Sequence, residues 1–86
     1  MTQRAYLVVP FERIGVTLGP RQAYLFDAKA PAQMAARQLA PRVAGVAIVE
    51  RQIDPETGDD KDTVIAEIGA IPPAFPERAD WSMRLN

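Results

Sequence analysis

The 86-residue chain has no cysteine and no histidine. The first absence removes disulfides and thiolate metal ligands, and the second removes the side chain that most often serves as base or ligand near neutral pH. Ser82 is the only serine, and no base stands beside it in sequence, so no nucleophile–base pattern is present. The five glycines form no Gly-rich phosphate loop, which leaves no nucleotide signature. Charge of one sign is also lacking, with 10 basic residues against 11 acidic ones, so no strong field steers a charged partner. No long hydrophobic run exists: the apolar stretch after Met1-Thr2-Gln3-Arg4 stops at Glu12, too short for a signal segment or a membrane span. A cytoplasmic, non-catalytic protein without a cofactor is the expectation.

What is present is a folding pattern. With 48% hydrophobic residues, the chain has enough apolar material for one small domain. Its organiser is residues 30–53, an alanine-rich helix leading into an apolar strand. Ala32, Ala35, Ala36, Leu39 and Val43 recur at helical spacing and define the side to bury. Met34 falls on the opposite side. Pro31 suits the first turn, where its missing N–H has no intrahelical partner, and Asp27 is placed to accept orphan N–H groups. Pro41 ends or kinks the helix near Ala40, and Gly45 is read as the residue that frees the backbone to turn. Val46, Ala47, Ile48 and Val49 follow as strand.

Upstream, residues 5–9 read as a strand that Pro10 terminates, because proline belongs at a strand end or on an edge. Residues 11–18 extend a first hairpin less clearly, Gly19-Pro20 is a turn signal, and residues 22–26 read as a second strand. Downstream, Asp54-Pro55-Glu56-Thr57-Gly58 has the chemistry of a hairpin loop. Residues 63–71 form the last strand, with Val64, Ala66 and Ile68 facing opposite to Ile65, Glu67 and Ile71, and Pro72-Pro73 ends it. The expected architecture is α+β in the order β-β-α-β-β: a four-stranded antiparallel sheet with one helix on one face, spanning residues 1–72, followed by a Pro-rich tail, 73–86.

Geometry makes one helix too small a cover. Four strands at about 4.8 Å spacing give a sheet roughly 19 Å wide, whereas a helix with side chains covers about 10–12 Å. Since Leu7, Val8 and Val9, then Val46 to Val49, are apolar on both faces, a second cover is required: the tail through Phe75 and Trp81, or a second copy of the chain. The leading reading is therefore a protein-interaction or self-association module. Its surface is drawn from Tyr6, Val8, Tyr24, Phe26, Val49, Phe75 and Trp81.

Other patterns in the chain point to different functions. Outside residues 54–62, nine basic residues face six acidic ones, and a nucleic-acid accessory protein would gather Arg21, Arg37, Arg42 and Arg51 on one surface; no Gly-aromatic motif supports it. The acidic residues Asp54, Glu56, Asp59, Asp60 and Asp62 suggest a hard cation, but Gly58 falls at the fifth position from Asp54 where an EF-hand loop needs it at the sixth, so a solvated hairpin tip is preferred and no metal ligand is assigned. For catalysis, Glu50 and Glu67 are candidates to meet across the third and fourth strands, but a purely structural Arg51–Glu67 pair is at least as well placed. Pro73-Ala74-Phe75-Pro76 has PxxP spacing, read as a strand terminator.

At Tyr6-Leu7-Val8-Val9-Pro10-Phe11-Glu12, the Ala-rich helix, Asp54-Pro55-Glu56-Thr57-Gly58 and Ile68-Gly69-Ala70-Ile71-Pro72, the chain resembles small uncharacterised bacterial β-β-α-β-β proteins over residues 5–72. The resemblance implies a fold and transfers no function.

Overall fold

The computed structural model describes residues 3–72 and Phe75. In chain order these form β1 (Gln3–Ile14), β2 (Thr17–Pro20), β3 (Tyr24–Phe26), α1 (Lys29–Leu39), a 3₁₀ turn (Ala40–Arg42), β4 (Gly45–Ile53) and β5 (Asp60–Gly69). The fold is α+β, with one helix and an antiparallel sheet of order β2-β1-β4-β5. β3 also pairs with β1. Because β4 occupies one side of β1, β2 and β3 share the other, and the sheet is four strands wide with a divided outer edge.

That divided edge explains why Pro10 does not end the first strand. β1 runs through it, and Pro10 lies opposite Val46 in the middle of the sheet. The Phe11 carbonyl accepts from the Ala44 N–H, so Phe11 turns its main-chain groups toward β4 and Pro10 turns its own the other way. There the Pro10 carbonyl accepts from the Arg21 N–H at 2.8 Å. Registers on this side differ by one residue between the β3 and β2 pairings, so the absent N–H meets the break between the two outer strands. The ladder to β4 loses nothing.

The helix buries the expected side. Ala32 and Ala36 are buried, and Ala35, Leu39 and Val43 pack against the same cluster of Tyr6, Val8, Val46 and Ile48. Alanine at the two buried positions puts little side-chain bulk between the helix and the strands. Pro31 is the third helical residue, still within the turn whose N–H groups have no intrahelical acceptor. Asp27 does not cap: Ala28, with φ −140 and ψ 152, holds the cap position, and no side chain bonds there. At the other end the Ala40 N–H reaches Ala36 and the chain tightens into the 3₁₀ turn at Pro41.

The opposite face is buried as well. Leu7, Val9, Phe11, Ala47 and Val49 form a second cluster with Ala23 and Phe75. The Phe75 ring meets Phe11 edge-on, with centroids 5.0 Å apart and planes at 80°, the favoured geometry for an aromatic pair. Leu7, Val9 and Val49 have no accessible surface, and each such side chain contributes about 1.5–3 kcal/mol by leaving water. Two-sided apolar strands are thus satisfied within the chain, which removes the bare sheet face as a reason for self-association. Of the two expected tail covers, Phe75 is in place, while Trp81 lies outside the described residues, as do 73, 74 and 76 of the PxxP stretch.

The strict alternation expected in the last strand is broken. Ile48 pairs with Ala66 but Val49 pairs with Val64, leaving Ile65 as an extra residue in a β-bulge. Val64 therefore packs on the Phe75 side, whereas Ile65 and Ala66 both pack on the helix side. The role read for Gly45 also changes. The chain bends at residues 43–44, and Gly45 is already in β4 opposite Gly69. A Cβ on Gly45 would stand 1.9 Å from the Ala70 carbonyl oxygen, so glycine is demanded by close backbone approach rather than by turning.

Candidate functional site

At the end of α1, the small helix leaves part of the sheet unoccupied. Between the helix and the outer edge lies a groove of about 510 Å³ lined by Tyr24 and Phe26 from β3, Ala35, Gln38 and Leu39 from α1, and Pro41 and Arg42 from the 3₁₀ turn. A second hollow of about 230 Å³ shares Tyr24, Leu39 and Arg42 with it and adds Pro10, Glu12 and Arg21. The two adjoin through these shared residues and form a mixed depression, in which the apolar side chains of Phe26, Leu39 and Pro41 lie among the polar groups of Gln38, Arg21, Glu12 and Arg42. Its cause is local: β1 pairing places Tyr24 and Phe26 opposite Val8 and Tyr6, hence on the helix face, and the turn enforced by Pro41 brings Arg42 beside them.

The two cations of this depression are not equivalent. Arg21 forms an ion pair with Glu12, which uses the one carboxylate that lines the depression among the described residues. Arg42 is exposed and makes no ion pair or hydrogen bond among the described residues. An exposed aromatic, neighbouring apolar side chains, one amide and a guanidinium without an ion pair among the described residues suit the recognition of an amphipathic group with negative charge. They supply no activated nucleophile.

The residues expected from sequence are divided by the fold. Tyr24 and Phe26 line the groove. Val8 and Val49 are fully buried core residues on opposite faces, so neither presents a surface. Tyr6 is buried beneath the helix side, and Phe75 is buried against Phe11. Among the arginines, Arg21 and Arg42 come together, Arg37 is exposed on the helix, and Arg51 is bound elsewhere. Sequence reading missed Gln38, Leu39 and Pro41 as site residues; Leu39 carried a signal as the last apolar position of the helical stripe, immediately before the proline that bends the chain.

Two polar clusters lie apart from the groove. Arg51 donates from Nε and Nη2 to both carboxylate oxygens of Asp62, at 2.8 and 2.9 Å. This replaces the expected Arg51–Glu67 pair, because the bulge and register set Asp62 opposite Arg51 and Glu67 opposite Ala47. Glu50 lies opposite Tyr6 and Thr63 and does not meet Glu67. Its carboxylate accepts from the Gln52 amide and from the Tyr6 hydroxyl, both at 3.2 Å. The Gln52 hydrogen bond holds Glu50 below its usual range, helped against partial desolvation by Tyr6 and by the charges of Arg4 and Lys29.

The acidic loop between β4 and β5 folds on itself. Asp54 accepts from the Gly58 N–H through its carbonyl and from the Glu56 N–H through Oδ1, and its own N–H reaches the Asp59 carbonyl. Among the described residues no three acidic side chains are grouped to hold a metal ion, and no helix is long and apolar enough to cross a membrane. Compared with known proteins, the chain matches no family model, no curated protein and no solved structure.

Proposed function

We propose that this chain is a non-catalytic protein-interaction module that binds a partner through the depression between α1 and β3. The observation that carries the reading is the meeting of Tyr24, Phe26, Leu39 and Pro41 with Arg42, which has no ion pair among the described residues. Aromatic and arginine side chains with apolar neighbours are the groups that concentrate binding energy at interfaces. The composition supports the non-catalytic part, since the chain has no histidine, no cysteine and no nucleophile–base pairing. A nucleic-acid surface is the weaker reading because, among the described residues, only Arg21 and Arg42 converge, and Arg21 is held by Glu12.

A photo-crosslinking residue placed at Gln38 in the source organism tests this. Protein adducts are expected at position 38, resistant to nuclease and lost when Leu39→Glu is added; the same probe at Lys61 on β5 serves as the control. Absence of protein adducts at 38, or adducts that nuclease removes, would overturn the reading.

A further inference from the structure

Resting on that reading, we infer that the partner is an extended peptide segment that adds as a strand to the outer edge of β3, places alternate apolar side chains in the groove, and presents a carboxylate to Arg42. The two sheet edges differ sharply in their readiness to pair. β5 carries Asp60, Lys61, Asp62 and Glu67 and is interrupted by the bulge at Ile65, the charges and irregularity that discourage edge pairing. β3 is Tyr24-Leu25-Phe26, with no charge at all.

Main-chain direction on β3 follows from the register. Since Phe11 points its carbonyl to β4, Leu7 and Val9 do likewise, and Tyr6 and Val8 direct their groups to β3. Their partners Phe26 and Tyr24 are thereby used. Leu25, between them, turns its N–H and C=O outward, and the residue is 56% exposed. A strand laid here hydrogen-bonds to Leu25, and its helix-side residues extend the row formed by Tyr24 and Phe26 into the groove.

Charge selects the occupant. Among the described residues the depression is lined by two cations and one carboxylate, and that carboxylate is committed to Arg21. Among those residues Arg42 has no anion beside it, and an Asp, a Glu or a chain-terminal carboxylate on the added strand supplies one through a charge-assisted bond. A second copy of the chain fits less well. Antiparallel pairing of two three-residue β3 edges about Leu25 sets only Tyr24, Leu25 and Phe26 against one another, and these uncharged residues bring Arg42 no carboxylate.

The test is selection of random eight-residue peptides displayed on phage against the immobilised full chain, followed by amide NMR of the chain with the enriched peptides. Enriched sequences are expected to alternate apolar residues and to contain an acidic one. Exchange of the Leu25 amide proton should slow at least tenfold on binding. Asn or Gln in place of the acidic residue, or Arg42→Gln in the chain, should each weaken binding about tenfold, and the two changes together should cost no more than either alone. N-methylation of the central peptide bond that faces Leu25 should abolish binding. Groove binding that tolerates N-methylation and Arg42→Gln would overturn the strand-addition inference while leaving a protein-binding groove. Failure to enrich any peptide, or shifts confined to β5, would overturn both. A concentration-dependent dimer that protects Leu25 in sedimentation and exchange measurements would replace the peptide with a second copy.

Discussion

Gly45→Ala offers a severe test of how the sheet is closed at its base. A methyl at this position would meet the Ala70 backbone at 1.9 Å from O, 2.6 Å from C and 2.9 Å from N. These are main-chain atoms that no rotamer change can move aside. Relief to ordinary contact at 3.4 Å requires the strands to separate by about 1.5 Å. The Ala70 N–H to Ala44 carbonyl bond, now 3.0 Å, would lengthen to about 4.5 Å and cease to be a hydrogen bond. Losing that bond between partly buried groups costs about 1–3 kcal/mol, and the crowding itself about 1–3 kcal/mol. The expected loss is about 2–6 kcal/mol, from a total on the order of 4–13 kcal/mol for a chain of this size. In thermal unfolding followed by far-UV circular dichroism this lowers Tm by roughly 10–45 °C. Gly58→Ala is the matched comparison. Gly58 has φ +78, and a methyl there would have nothing within 4 Å, so it bears only the left-handed backbone cost of about 1–2 kcal/mol. The variant at Gly45, which needs no positive φ, should be the less stable of the two; equal stability, or a Gly45→Ala protein within about 0.5 kcal/mol of the parent, would refute the close-approach argument.

Three further outcomes follow from the described contacts. Phe75→Ala removes the edge-on partner of Phe11 and should cost about 2–4 kcal/mol in urea unfolding, whereas Met34→Ala on the exposed side of α1 should change stability by less than about 0.5 kcal/mol. Asp62→Ala breaks the bidentate pair with Arg51, whose side chains are 16% and 25% exposed, and should cost about 1–2 kcal/mol with little dependence on salt between low and moderate ionic strength. For Glu50, the folded-state pKa lies below the unfolded value; its contribution to stability is therefore present above the unfolded pKa and is lost as pH falls through the folded one. Gln52→Leu should raise the Glu50 midpoint in a carboxyl-carbon NMR titration, and an unchanged midpoint would show that the Gln52 amide is not the cause.

Much of the fold was legible because it rests on local rules. The helical stripe from Ala32 to Val43 needed only a 3.6-residue period, and the hairpin loop at Asp54 to Gly58 needed only turn chemistry. The two-sided apolar strand was also correctly read as buried on both faces. Features that depend on a neighbour were not legible. Pro10 forbids a central strand only if its nitrogen faces a continuous ladder, and nothing in the sequence shows that β2 and β3 break there. The bulge at Ile65 is a register event between two strands, so alternation alone misplaced Val64 and paired Arg51 with Glu67. The groove was the least legible feature. It joins Tyr24, Leu39 and Arg42 across a helix and a turn, positions whose nearness depends on where α1 crosses the sheet.

The sequence by itself determined the class of fold, the buried side of the helix, the hairpin loop and the need for a cover on both sheet faces, since each follows from hydrophobic period, backbone stereochemistry or simple area. Only the tertiary structure decided that the second face is buried with Phe75 on Phe11, that Gly45 admits a crossing backbone, and that Arg42 lines a groove with two aromatic rings. Those are statements about distance between residues far apart in the chain, and short-range pattern carries no information about distance.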